Sequence, residues 1–375
     1  MNRPIVSKVL AVLASVAFLA TSSLGAELIT KSRAVKGYGK RDRVFPVSSQ
    51  TVSPSQLHEV YGPRVDAGLD ITRADSKINN VKASTTAPTA TVRGVVAGDI
   101  LALGLAASRG ESSGRENTEI ATKERVIGKK VVPSVAATIA DHVTIGASSE
   151  LNWMELRQNS DYARERTYDG FARREAIGLS VHTSKMEVGM MHATLSRNRI
   201  HTDNFEAGGA QQAFLLTSIS DDTMREIYVP ASNTVFARGN LTPNWSVQGA
   251  VSHTEYDSNA QGAKETFNDY NRADRLSGQL QAIYWLNDEA TRFAATANYR
   301  GATYAPFGSE ENGLGYRHAN LYGGSIDAIV DIGSQSYVGV RLSHLRGERD
   351  QQLTGFRLAA REARTNIGTT VSKSF

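Results

Sequence analysis

Residues 363–375, "ARTNIGTTVSKSF", decide how the chain is to be read, because apolar and polar side chains alternate through them up to a terminal aromatic. Val371, Thr369, Ile367 and Thr365 fall on one face of a strand, interrupted by Lys373, while Ser374, Ser372, Thr370, Gly368, Asn366 and Arg364 fall on the other. One face suits lipid and the other suits water. A soluble antiparallel strand would alternate in the same way over so few residues, so the rest of the chain has to decide.

The opposite end supplies the first test. "MNRPIVSKVLAVLASVAFLATSSLGAE" (1–27) carries Arg3 and Lys8, an apolar stretch from Val9 to Ala20 and small residues before Glu27. That is the pattern of a secretory signal over residues 1–26, cleaved near Gly25 or Ala26. Its apolar stretch is shorter than the roughly 20 residues a helix needs to cross a bilayer.

The chain holds no cysteine, which excludes a disulfide framework, a lipid-modified amino-terminal cysteine and any thiolate metal site or nucleophile. Hydrophobic residues make up 40%, and no apolar run after the signal approaches helix-spanning length. A transmembrane barrel looks this ordinary in bulk, since only every second strand residue meets lipid. The formal charge of +4 is small for 375 residues. Arg157, Arg164, Arg166, Arg173 and Arg174 cluster in one polar segment, but no motif supports nucleic-acid binding there. A solvated loop that touches anionic lipopolysaccharide accounts for them better.

Alternating segments fall in pairs around short connections. "VVPSVAATI" turns at "ADH" into "VTIGASSELNW", "TVFARGNL" turns at "TPN" into "WSVQGAVSHTEY", and "YGGSIDAIVDI" turns at "GSQS" into "YVGVRLSHL". Gly, Asp, Asn, Ser and Pro in the connections are the residues that tight turns select. The turns centre on Gly98, Asp141, Ser184, Pro243, Asp288 and Ser334, a repeat of one hairpin plus one longer stretch. Long polar stretches such as "RGESSGRENTEIATKERVIGKK" and "DSNAQGAKETFNDYNRAD" separate them. Short turns on one side and long loops on the other are the layout of an outer-membrane barrel with periplasmic turns. Adding "RVDAGLDIT" and a partner near Thr89 to Val96 gives an all-β, antiparallel transmembrane barrel of about 14 strands over residues 63–375, with 12 possible.

The faces sort by chemistry. Val143, Ile145, Ala147, Leu151 and Trp153 suit lipid, whereas Thr144, Gly146, Ser148, Glu150 and Asn152 suit a wet lumen. Asn298, Arg300, Asp327, Asp331, Arg341, Arg364 and Asn366 fall on the lumen side too. Trp245, Phe293, Tyr337 and Phe375 sit beside tight turns, with Trp153, Tyr256, Tyr299 and Tyr322 near the opposite strand ends, as two membrane interfaces require. The terminal Phe375 resembles the signature read by the barrel assembly machinery, from which Lys373 departs, an apolar or aromatic residue being usual there.

Together the stretches "VVPSVAATIADHVTIGASSELNW", "EAIGLSVHTSKMEVGMMHATLSRNRIHTDNFEAG", "VPASNTVFARGNLTPNWSVQGAVSHTEYDS" and "DRLSGQLQAIYWLNDEATRFAATANYRGATYAP" resemble the FadL-type long-chain fatty-acid transporters in hairpin order, loop sizes and residue classes. The resemblance implies a 14-stranded barrel with an amino-terminal plug that carries long-chain fatty acids or other hydrophobic molecules inward across the outer membrane. In that family ligand leaves sideways where a strand is interrupted. Residues 27–62 stand where the plug would be, without the family's Asn-Pro-Ala motif, and a periplasmic segment is the other reading of them.

Pro133 removes a ladder donor, and Gly128 lies in "KERVIGKK" just before it, which makes the two residues candidates for the lateral opening; Pro88 and Pro230 similarly precede other tight turns, and the plainer reading makes all three prolines mere strand beginnings. The resemblance places ligand capture between Met154–Glu175 and Ser196–Asn233. There, apolar islands in polar sequence mark Phe205, Phe214, Leu215, Leu216, Ile227 and Tyr228 as candidate contacts for a hydrophobic ligand, or as a loop core.

No phosphate loop, dinucleotide fingerprint, HExxH or GxSxG occurs, so nothing calls for a cofactor, a metal or an enzyme. His182, His192, His253 and His344 are scattered over strands and read as structural or rim residues. A diffusion porin is the rival reading, since a polar lumen suits both, and an adhesin or structural barrel is the third.

Overall fold

The computed structural model describes residues 53–59, 62–78, 81–97, 100–116, 122–139, 142–160, 163–182, 186–194, 196–203, 225–229, 231–242, 244–254, 273–286, 291–304, 317–353 and 356–374. The strands are β1 (Gly62–Ile78), β2 (Val81–Ala97), β3 (Leu101–Glu116), β4 (Thr122–Ile139), β5 (Val143–Ser160), β6 (Ala163–His182), β7 (Met186–Ala193) and β8 (Ser196–Asp203). They continue as β9 (Arg225–Val229), β10 (Ser232–Asn240), β11 (Trp245–Thr254), β12 (Ala273–Trp285), β13 (Arg292–Tyr304), β14 (Arg317–Gly333), β15 (Ser336–Leu353) and β16 (Phe356–Ser374). A single turn of 3-10 helix, Pro54–Glu59, precedes them.

Every neighbouring pair is antiparallel, β1 pairs with β16, and β5 pairs with β6, so the sheet closes on itself. β7 and β8 lie along one line of the wall and β9 and β10 along the next, which reduces the sixteen segments to fourteen staves. The count is the larger of the two that the hairpin repeat allowed. Closure leaves no unpaired edge, the condition for a sheet to sit in hydrocarbon.

Alternation fixes which side chains meet lipid. Leu101, Leu103 and Leu105 on β3, Val65, Leu69 and Ile71 on β1, and Ile367 and Val371 on β16 are all exposed on the outer face. Buried Ser372, Arg364 and Glu362 alternate with them on β16. So many exposed apolar side chains on one continuous surface are stable only against lipid. Trp245 stacks on Tyr284 at 5.0 Å near the turns, and Trp153 on Phe171 at 5.4 Å toward the other rim. Tyr337 departs from the expected aromatic girdle: it is buried on the lumen side against Ile329.

The wall is taller than the loop lengths suggested. β5 runs to Ser160 and β6 starts at Ala163, and β15 runs to Leu353 and β16 starts at Phe356, where the polar composition pointed to long loops. Strands rise roughly 3.3 Å per residue, so even with a tilt of about 40° the 18 residues of β15 outreach an apolar band of about 25 Å. Beyond lipid both faces meet water, and the ladder continues with polar residues outside as well as in.

At the β14–β15 turn Ser334 and Gln335 take φ of 51° and 58°, the left-handed pair of a two-residue hairpin turn. Lys373 Nζ donates to the Ser334 carbonyl at 2.6 Å, which gives the departure at that position a local purpose.

Candidate functional site

The lumen is lined by polar ladders with apolar islands near the turn end. Arg341 Nε donates to Asp327 Oδ1 at 2.6 Å, and Gln281 Nε2 to Thr296 Oγ1 at 2.9 Å. Arg64 bridges Asp66 at 2.7 Å and Ser372 at 3.0 Å. Asp327, Arg341, Arg364 and Asn366 lie on the side the alternation assigned them, as do Thr144 through Asn152 at every second position. Arg64, Asp327, Arg341 and Arg364 each have an acidic or basic partner, which lowers the cost of burying them.

The apolar islands comprise Ile283, Trp285 and Ala294; Val95, Ala97, Ala102 and Ala136 with Leu57; and Phe236. Trp285 is held by a hydrogen bond from its Nε1 to Ser246 Oγ at 3.2 Å and by the Arg292 guanidinium 5.9 Å from its ring. Phe236 lies over Gly189, where a Cβ would collide with its ring. These lumen residues were missed from sequence, yet a signal exists. "AIYW" (282–285) and "VV" (95–96) are consecutive apolar residues that break strict alternation, so each run covers both faces.

The helical turn sits inside this region. Ser53 through Leu57 are buried, and the segment packs on β2 through β6. Its seat is cut by lumen-facing glycines. A Cβ on Gly146 would strike the Pro54–Ser55 backbone, one on Gly178 would strike Ser53, and one on Gly104 would lie 2.8 Å from Leu57. Only residues without a side chain let the segment approach the three staves β3, β5 and β6 so closely. Ser53 Oγ and Ser55 Oγ are hydrogen-bonded at 2.8 Å, and Gln56 Oε1 accepts from the Ser53 N–H.

Just above the seat the wall is interrupted twice. The β4–β5 ladder runs from Val131↔Leu151 to Ser134↔Ser148 without the two pairings between them, and Pro133, which has no N–H, lies in that gap. The second lies between β7–β10 and β8–β9. Pairing stops at Ala193↔Ser232 and resumes at Ser196↔Val229, and the sequence puts a proline at position 230. Against β6 the same stave slips by one residue, from Ala176↔Ala193 to Arg173↔Arg197, the mark of a bulge. Thr194 repairs part of it: its N–H donates to the Glu175 carbonyl at 2.8 Å, and its hydroxyl accepts from the Glu175 N–H at 3.1 Å. Inside, Arg174 reaches the Thr194 carbonyl at 3.2 Å and Ser232 Oγ at 2.6 Å.

Polar groups also face outward between the two breaks. Ser149 Oγ donates to Glu175 Oε1 at 3.2 Å, Arg173 pairs with Glu175, and His192 Nδ1 lies 2.8 Å from Asn233 Oδ1. They stand between apolar Ile177 and Ala147 on one side and the Trp153–Phe171 pair on the other. Charged groups on a lipid-facing wall are costly, which marks this patch as a candidate site.

Of the sequence-derived candidates, Pro133 lies at the first break, whereas Gly128 sits in unbroken pairing with Gly110 and Met154. Phe205, Phe214, Leu215 and Leu216 lie outside the described residues; Ile227 and Tyr228 lie on β9. Of the Arg cluster, Arg173 faces outward and Arg174 inward. His192, His253 and His344 are spread over the outer face, and among the described residues no three His or acidic side chains gather as metal ligands.

No known family profile matches the chain, and no curated protein matches it in sequence. Solved structures do. A FadL homologue of Pseudomonas aeruginosa aligns over 93% of this chain and 99% of its own, with a TM-score of 0.60 at 11% identity. The toluene transporter TodX of Pseudomonas putida covers 86% of this chain and 92% of its own, with a TM-score of 0.56 at 13% identity. The toluene transporter TbuX of Ralstonia pickettii covers 93% and 99%, with a TM-score of 0.53 at 14% identity. The FadL-type resemblance read from the hairpins therefore stands at the level of the fold.

Proposed function

We propose that this barrel carries small hydrophobic molecules, long-chain fatty acids or other apolar compounds, across the cell outer membrane, with residues 27–62 as a plug and with lateral release through the wall. The observation that carries the reading is the seating of Ser53–Leu57 on Gly104, Gly146 and Gly178, just below the wall interruptions. A ligand descending the lumen meets that stopper, and the nearest way on is sideways, through the sector between β4 and β10. The buried Phe236 and the apolar cluster around Trp285 supply apolar surface near the stopper. The similarity of fold to two toluene transporters and a FadL homologue supports the same class of cargo.

Capture at the outer rim is assigned to Phe205, Phe214, Leu215, Leu216, Ile227 and Tyr228, with Gly128 and Pro133 at the lateral opening. The chain reaches its membrane through a signal over residues 1–26 and through the assembly machinery's recognition of Phe375. It performs no catalysis and requires no cofactor.

Ion conductance of the refolded protein in a planar bilayer tests the plug. The full chain should be silent, and removal of residues 27–62 should produce large steady openings. Steady openings of the full chain would instead favour the diffusion porin, a reading drawn from the charged lumen. Uptake of labelled long-chain fatty acid and of toluene by cells carrying the protein then separates a transporter from a structural barrel.

A further inference from the structure

The outer face of β1 to β4 carries a feature that transport does not use. Arg109 on β3 and Lys129 on β4 are direct cross-strand partners, and both are exposed on the outer face. Like charges directly opposite on a sheet repel and destabilise it. Each is the first charged outward residue above an apolar run: Leu101, Leu103, Leu105 and Ala107 below Arg109, and Ile139 through Val131 below Lys129.

Glu111, two residues along β3 from Arg109, is already engaged. Both oxygens of Glu111 accept from Arg125, at 2.7 and 2.9 Å. Among the described residues, neither Arg109 nor Lys129 has a hydrogen-bonded acid. On the other side of the rung, Lys129 faces Trp153 across the ladder, and Trp153 stacks on Phe171. Farther up the same side Lys77 lies directly between Lys82 on β2 and Arg361 on β16, where Arg361 meets Glu348 at 3.4 Å. The opposite side of the barrel differs, since its outward Arg346 is spent on the Tyr322 ring at 5.5 Å.

We propose that Arg109 and Lys129 form a binding site for the phosphorylated headgroup of an outer-leaflet glycolipid, lipopolysaccharide, with its acyl chains against the apolar run below and its sugar against Trp153. A phosphate between the two cations turns a repulsive rung into two charge-assisted contacts. The height on the wall selects a lipid over a free anion, because the rung stands where the apolar band ends. The site rests on the outer-membrane location proposed above, and not on what is transported.

The test uses the full chain in nanodiscs of zwitterionic phospholipid, with diphosphorylated lipid A as the probe and native mass spectrometry as the readout. Bound lipid A is expected on the wild type. Arg109→Gln with Lys129→Gln should weaken it by about tenfold for each cation removed. The exchange Arg109→Lys with Lys129→Arg should retain it, and Arg346→Gln should leave it unchanged. Heat-modifiable gel mobility confirms that each variant is folded. Equal lipid A retention by the double Gln variant, or equal binding of lipid A stripped of phosphate, would overturn the assignment. Complete displacement by inorganic phosphate would also overturn it, since the site would then hold an anion and not a lipid. Fatty-acid uptake should be unaffected by the double Gln change, so the failure of this site and the failure of the transport reading are separable.

Discussion

The wall from β13 round to β1 and the wall from β4 to β10 are built on the same alternation and behave differently. In the first, β13–β14, β15–β16 and β16–β1 pair residue by residue along their whole shared length, and polar lumen groups such as Asp327, Arg341 and Arg64 tie neighbouring staves together. In the second, a proline at 133 and the break after Ala193 and before Ser232 remove pairings, a bulge shifts register against β6, and charged groups face outward at lipid depth. The helical turn packs on β2 through β6, most closely on β4 and β5 of the second sector. A closed ladder needs only periodicity, and the second sector departs from it at particular places.

The largest effect expected from this contrast is electrical. Gly146→Trp forces a side chain into the Pro54–Ser55 backbone and should open a silent barrel to steady ion flow, whereas Gly278→Ala, whose Cβ meets nothing within 4 Å, should stay silent. Planar-bilayer recording distinguishes them, and a silent Gly146→Trp protein would mean that the stopper does not depend on its glycine seat.

Closing the break between Ala193 and Ser232 comes next. The chain has no cysteine, so Thr194→Cys with Ala231→Cys, residues that the shared register places opposite each other, gives a clean staple. Oxidation should reduce uptake to background and reduction should restore it. The same staple at Val340 and Thr369, paired in the unbroken sector, should change nothing. Equal uptake with the first staple closed would remove that break from the exit path.

A smaller change probes the other gap. Pro133→Val returns a donor to the β4–β5 ladder and should raise stability by about 1 kcal/mol, read from the urea midpoint, with slower uptake if ligand passes there. A gain in stability without any slowing would assign the exit to the 193–232 break. Smallest of all, Lys373→Met restores an apolar residue near the terminal aromatic but loses the bond to the Ser334 carbonyl, which should cost roughly 0.5–1 kcal/mol and leave uptake intact.

Much of the fold was legible in advance because a strand's two faces are set by period two, a property of a few consecutive residues. Val371 and Arg364, or Ile145 and Thr144, could be assigned to lipid and lumen without knowing any neighbour. The spacing of short turns likewise led to fourteen staves. The site was legible only in part. Pro133 could be flagged because a missing donor is visible in one residue, but the bulge at Thr194 could not, since a register shift exists only relative to β6. Polar composition also hid the upper strands, because alternation carries no apolar signal once both faces are wet.

The amino-acid sequence by itself thus determined the barrel class, the orientation of its faces and the side on which the turns lie, all of which follow from local periodicity and turn chemistry. Only the closed tertiary structure decided that Gly104, Gly146 and Gly178 share one seat, that the two interruptions flank a polar outward patch, and that Arg109 faces Lys129. Those juxtapositions depend on inter-strand register around the ring, and register is a relation between distant segments that no single stretch contains.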